Sequence, residues 1–173
     1  PDAIALSFDL WDGFLDQTLP GGSTLRSEIA ARLAPYQSYP PAITPLQTAL
    51  AGIRALFTET ADFTPAQRQS LVTALAGFTP GRKIRFRSST NVEDAESFPG
   101  AGLYDSFSGC LLDDVDADTT GPSACDPGEA QERGVFRAIR RVYASFYNDN
   151  AYLERLRHGV DETKVGMGVL VHH

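Results

Sequence analysis

The sequence predicts an α+β domain, mainly helical over residues 1–80 and built of strands, loops and helices over 81–173. Three observations carry this. Up to Leu75 the apolar residues recur at three- and four-residue steps. From Lys83 to Ser88 cationic or polar residues alternate strictly with Ile84 and Phe86. After a second helical pattern, the run Val169-Leu170-Val171 reads as a buried strand.

The 173 residues carry 15 Lys and Arg against 22 Asp and Glu, a net charge of −7. That length suits one domain with a real core, and the acidic balance argues against non-specific nucleic-acid binding. No apolar run approaches the roughly 20 residues needed to span a bilayer, so no membrane association is expected. Any anionic ligand must therefore be held by a local basic cluster. The start, Pro1-Asp2-Ala3-Ile4, is neither a Met nor a basic leader, so the chain reads as trimmed at the front.

Each helix has a local reason. Ser7 is placed to cap a short helix with Leu10, Trp11, Phe14 and Leu15 inward. Pro20-Gly21-Gly22 breaks the chain, and Ser23 opens a helix with Leu25, Ile29 and Leu33 on one face. A proline-bounded connection from Tyr36 to Pro41 follows. Thr44-Pro45 then reads as N-cap and first helical residue, ahead of the stripe Leu46, Leu50, Ile53 and Phe57. Thr64-Pro65 repeats the device, and Gln67 completes a capping box. These stripes are core packing and carry no chemistry.

Thr79-Pro80-Gly81 turns the chain into the alternating strand, where Lys83, Arg85 and Arg87 share one face. Two readings stand at this point: an edge strand protected by charge, or an anion site. The hydroxyl run Ser88-Ser89-Thr90 and the loop Gly100-Ala101-Gly102 favour the second, because small residues let backbone N–H groups approach phosphate oxygens. The spacing is neither a Walker pattern nor Gly-x-Gly-x-x-Gly.

Cys110 and Cys125, with 14 residues between them, fit no zinc or redox signature and could close a loop-stapling disulfide. Their loop holds Asp113, Asp114, Asp116 and Asp118. It lacks the glycine and distal glutamate of an EF-hand, so a solvated acidic loop is expected and no metal is assigned. A long helix is expected from Glu129, with Val135, Ile139, Val142 and Phe146 inward and Arg137, Arg140 and Arg141 towards the other face. Asn148-Asp149-Asn150 restarts a helix that Gly159 ends. His158 is expected at its C-terminus, and His172 and His173, adjacent on a strand, cannot easily share a metal.

Three blocks in order resemble a known family: Arg87-Ser88-Ser89-Thr90-Asn91-Val92-Glu93-Asp94, Ala101-Gly102-Leu103-Tyr104-Asp105-Ser106, and Val142-Tyr143-Ala144-Ser145-Phe146-Tyr147. The chain is similar to the nucleotide-binding domain of the dikinases: pyruvate phosphate dikinase, phosphoenolpyruvate synthase, the glucan water dikinases and the rifampin phosphotransferases. Its wording is nearest the glucan water dikinase branch. The resemblance is close from about Lys83 onward and looser over Ile4–Leu19, which resembles the family's first strand-to-helix passage.

The resemblance implies a partial ATP-grasp-like domain, an incomplete first lobe spanning 1–173, with ATP as ligand and Mg2+ as its metal in the complete protein. Arg87, Ser88, Ser89, Thr90, Gly100, Ala101 and Gly102 would lie at the ATP phosphates. Val169, Leu170, Val171 and His172 would approach the adenine. In this family phosphoryl passes from ATP to a histidine on a swivelling domain, then to pyruvate, glucan or another acceptor. That domain, the second lobe with its metal ligands and the family's Gly-Gly-Lys segment all lie outside residues 1–173, so no catalytic residue or metal ligand is assigned here and this segment alone is expected to be inactive. A family arginine after the third block falls on Asn150; Arg155 and Arg157 are nearby. An inactive descendant serving as a binding or interaction module is the alternative. The family resemblance implies a cytoplasmic protein, and a Cys110–Cys125 bridge would imply an oxidising compartment.

Overall fold

The computed structural model describes residues 3–92 and 102–173. Its centre is a four-stranded antiparallel sheet in the order β1-β4-β2-β3. The strands are β1 (Ala3–Leu6), β2 (Ile84–Thr90), β3 (Ser106–Gly109) and β4 (Met167–His172). The α+β class is as expected. Both foreseen strands lie in this sheet as direct neighbours, with Arg85 opposite His172 and Arg87 opposite Leu170.

The helices are α1 (Phe8–Leu15), α2 (Leu25–Leu33), α3 (Ile43–Ala55), α4 (Pro65–Leu75), α5 (Val135–Ser145) and α6 (Asp149–Arg157). One face of the sheet supplies Ile84, Phe86, Val169 and Val171 to the core, and α5 packs beneath it with Val135, Ile139, Val142 and Tyr143 buried. An aromatic cluster joins the two parts of the chain. Trp11 stacks on Phe57, 5.8 Å between centroids, and meets Tyr143 edge-on at 5.0 Å. Each such buried side chain contributes about 1.5–3 kcal/mol of burial.

Local signals set most boundaries. Thr64 and Gln67 form the full capping box of α4. Gly159, at φ 63°, takes the left-handed conformation that ends α6. Three boundaries and one strand position differ from expectation. At α2 the capping oxygen is that of Thr24, which accepts from the Ser27 N–H, while Ser23 stands one residue outside. Helix α3 begins at Ile43, so Thr44 and Pro45 lie within its first turn, where a missing N–H leaves no helical bond unmade. Helix α5 begins at Val135 instead of Glu129, because its cap is non-local: the Asp114 carboxylate accepts from the N–H groups of Val135 and Phe136. Finally, β2 is an inner strand, which removes the edge-protection reading of its cations.

Gly109 and Gly134 mark the closest approach of β3 to α5. A Cβ on Gly109 would fall 2.7 Å from the Gly134 carbonyl oxygen, so only glycine fits. Cys110 then donates its N–H to the Arg133 carbonyl and is bonded through sulfur to Cys125.

Candidate functional site

Successive residues of a strand point to opposite faces, and on the second face of this sheet Ala3, Ala5, Arg85, Arg87, Ser89 and Leu170 are exposed, while Phe8 of α1 reaches the end at Gly168. Two cross-strand rows cross that open face. One runs Ala5, Leu170, Arg87, Ser106; the other runs Ala3, His172, Arg85, Ser108. Leu170 is 42% exposed, an unusual state for the middle of a central strand. Arg87 stands beside it in the same row, exposed, with no ion pair among the described residues.

Alternation divides the hydroxyl run. Ser89 is exposed on the Arg87 face, whereas Ser88 pairs with buried Val169 and Thr90 with buried Met167. Ser88 and Thr90 therefore point away from Arg87, a separation the alternation of the strand already entails. Gly100 and Ala101, with Glu93 and Asp94, lie outside the described residues. Gly102 is exposed at φ 80°, with open space where a Cβ would be.

Strand β4 is hydrogen-bonded on both edges, so its backbone is engaged with β1 and β2. Val169 and Val171 belong to the core. What β4 presents to the open face is the Leu170 side chain and half-buried His172, whose Nε2 is buried without a hydrogen-bond partner. His173 instead closes the neighbouring turn: its Nε2 accepts from the Thr79 N–H at 3.0 Å, and its ring meets Phe78 edge-on.

The two blocks 101–106 and 142–147 meet directly. Ser145 Oγ accepts from the Asp105 N–H at 3.0 Å, and Tyr104 stacks on Phe146 with centroids 5.9 Å apart. Asn148 donates to the Asp105 carboxylate and the Leu103 carbonyl. Asn91 similarly ties the end of β2 to the Lys164 carbonyl and the Gly166 N–H. The motif residues thus fix the loop that enters β3 and the loop that enters β4.

The charged neighbours have structural partners that the sequence alone could not assign. Lys83 binds Asp126 at 2.8 Å and Glu129 at 3.1 Å, from the Cys-flanked loop; those hydrogen bonds raise its pKa. Arg155 is wholly buried, paired through Nε and Nη2 to Glu162, and lies 3.8 Å from the Phe146 ring centre. Burial pulls its pKa down, but the Glu162 carboxylate outweighs it and holds the group above its usual range. Arg155 is therefore not available to an external phosphate in place of Asn150, which is exposed.

The acidic loop is only partly solvated. Asp113 is buried and accepts from the N–H groups of Ala124 and Arg133, each at 2.8 Å. Asp114 caps α5. Only Asp116 and Asp118 are exposed, and they converge with Glu132, whose pKa is pushed up to about 7 by desolvation and then by Asp118. The open face carries no carboxylate among its described residues, so those described side chains do not form a Mg2+ site. No described helix is long and apolar enough to cross a membrane.

A sequence model of the pyruvate phosphate dikinase AMP/ATP-binding domain matches residues 1–173. Among curated proteins, none matches.

Proposed function

The chain belongs to the pyruvate phosphate dikinase AMP/ATP-binding domain family, and on that premise we propose that the open face of its sheet is the floor of the nucleotide site. One observation carries this reading: Arg87 stands at the middle of an uncovered sheet face, beside exposed Leu170, without a carboxylate partner among the described residues. A guanidinium there offers a forked, permanently charged clamp for phosphate oxygens. Ser89, on the same face, adds a hydroxyl donor, and the Gly100–Gly102 segment would add backbone N–H groups. Leu170 and His172 supply an apolar and a polar surface on the adenine side. Ser88, Thr90, Val169 and Val171 shape the strands from the core side.

In the complete protein this lobe would hold ATP while the β-phosphoryl passes to a histidine on a separate swivelling domain. AMP would be the leaving group, and water would take off the γ-phosphoryl as phosphate. The second lobe would complete the clasp and bring the Mg2+ ligands, and the acceptor would be pyruvate, glucan or another hydroxyl or enolate compound.

Removing the guanidinium tests the reading. Arg87→Ala in the full-length protein should weaken ATP binding by about 1.5–3 kcal/mol, the worth of a charged hydrogen bond. Lys83→Ala should cost much less, because Lys83 is already paired with Asp126 and Glu129. Calorimetric titration with ATP decides it, and equal losses for both variants would sink the assignment.

A second reading, nucleotide binding without phosphoryl transfer, is favoured by Asn150 together with the sequestration of Arg155. Incubation of the full-length protein with β-labelled ATP separates the two: label on a histidine supports transfer, and unchanged ATP supports a binding module.

A further inference from the structure

A second basic surface lies where β3 meets α5. Arg133 precedes α5, and Arg137 and Arg141 follow it at four-residue steps, so the three share one side of the helix. Beside them a cleft of about 290 Å3 is also lined by Lys83, Arg85 and Ser108. Its internal salt bridges are confined to one corner. Glu129 there pairs with Lys83 at 3.1 Å and Arg133 at 2.8 Å. Arg85, Arg137 and Arg141 have no carboxylate within ion-pair distance among the described residues. Arg85 reaches only the Ser108 hydroxyl, at 3.4 Å, and Arg141 lies 4.2 Å over the Phe107 ring. Burial, and then the guanidiniums of Arg141, Arg133 and Arg140, hold Arg137 below its usual pKa.

In a chain of net charge −7, three guanidiniums gathered without an ion-pair partner of their own among the described residues repel one another unless an anion joins them. Each guanidinium offers a planar, forked set of donors, the geometry that recognises phosphate oxygens two at a time. The volume is at the lower limit of small-ligand pockets and suits pyrophosphate better than a nucleotide.

We propose that this cleft binds a compact phosphate-bearing anion, through Arg85, Arg137 and Arg141. This goes beyond the nucleotide reading of the open face and does not depend on it.

The probe is inorganic pyrophosphate, titrated calorimetrically into the 173-residue chain at fixed ionic strength near neutral pH. Saturable binding is expected, weakened at least about tenfold in Arg137→Gln/Arg141→Gln, as expected for loss of a charged hydrogen bond. In Arg87→Gln it should be unchanged, and sulfate should bind distinctly more weakly. Absence of saturable binding overturns the proposal, as does binding retained in the double variant. Loss in Arg87→Gln would place the anion at Arg87, in the proposed nucleotide site, instead, and equal sulfate affinity would mean unspecific charge attraction. A separate ATP titration of Arg87→Gln reports failure of the nucleotide reading independently. Thermal melting of the ligand-free double variant checks the premise: relief of like-charge repulsion should hold or raise Tm, and a clear fall counts against it.

Discussion

At Arg155 a permanent positive charge sits in the core, 0% exposed, with every nitrogen satisfied. Nε and Nη2 donate to Glu162, and Nη1 donates to the Phe146 carbonyl at 2.9 Å and the Tyr104 hydroxyl at 3.3 Å. Such a pair adds little net stability over apolar packing, but removing one member strands the other. Glu162→Ala should destabilise the fold by about 3 kcal/mol, the lower end for a buried pair because Glu162 itself is partly exposed. Urea unfolding measures this, and a change of only a few tenths would show that water reaches Arg155. Asp114 gives a pH dependence. Burial pushes its pKa up to about 6 against the helix N–H groups, which pull it down. Both N–H groups use Oδ2, leaving Oδ1 to carry a proton. The folded chain thus binds this proton more tightly than the unfolded one. Its contribution to stability is full below about pH 3.8 and is lost as pH rises through about 6. Asp114→Asn keeps an acceptor without titrating, so the fall in stability between pH 4 and 6 should be shallower than in wild type. An identical slope in both proteins would refute the assignment.

Among the elements, the loop closed by Cys110 and Cys125 joins the end of β3 to the approach of α5. A bridge over a span of 15 residues is worth about 3 kcal/mol, chiefly by limiting the unfolded chain. Thiol titration in denaturant without reductant should find no free thiol, and reduction should lower stability by about that amount. Two free thiols would remove the bridge from the account. Strand β2 was legible because three cations alternate with Ile84 and Phe86, and β4 because its apolar run is short and closes the pattern. Strands β1 and β3 were not: Ala3–Leu6 and Ser106–Gly109 are four residues each, too short for a period to stand out. Arg87 could be placed outward from sequence, and so could the separation of Ser89 from Ser88. The partners of Lys83, the cap of α5 and the meeting of Arg85 with Arg137 and Arg141 could not. Each joins residues more than twenty apart, which no local pattern encodes.

Across the whole molecule, a single hydrophobic cluster runs through both the helical part and the sheet. Trp11, Phe14 and Phe57 from the first 80 residues pack on Tyr143, Phe146 and Tyr147 from the second part. Residues 1–80 expressed alone should therefore lack a cooperative thermal transition and bind a hydrophobic dye, despite holding four helices, two of them with side-chain caps. A sharp melt would show instead that the helical part is an independent unit.

The position of β4 between β1 and β2 also governs how the chain is made. Ala3 pairs with His172, so the sheet closes across nearly the full described length. A ribosome adding about 5–20 residues per second leaves an interval on the order of ten seconds between the emergence of β1 and of β4. During it β2 can form its hairpin with β3, but the edges of β1 and β2 that β4 will occupy stay bare. Bare strand edges template pairing with other chains. The nascent protein is thus most vulnerable to association just before Met167–His172 appears, when the helices can already have collapsed and the sheet still lacks its central strand.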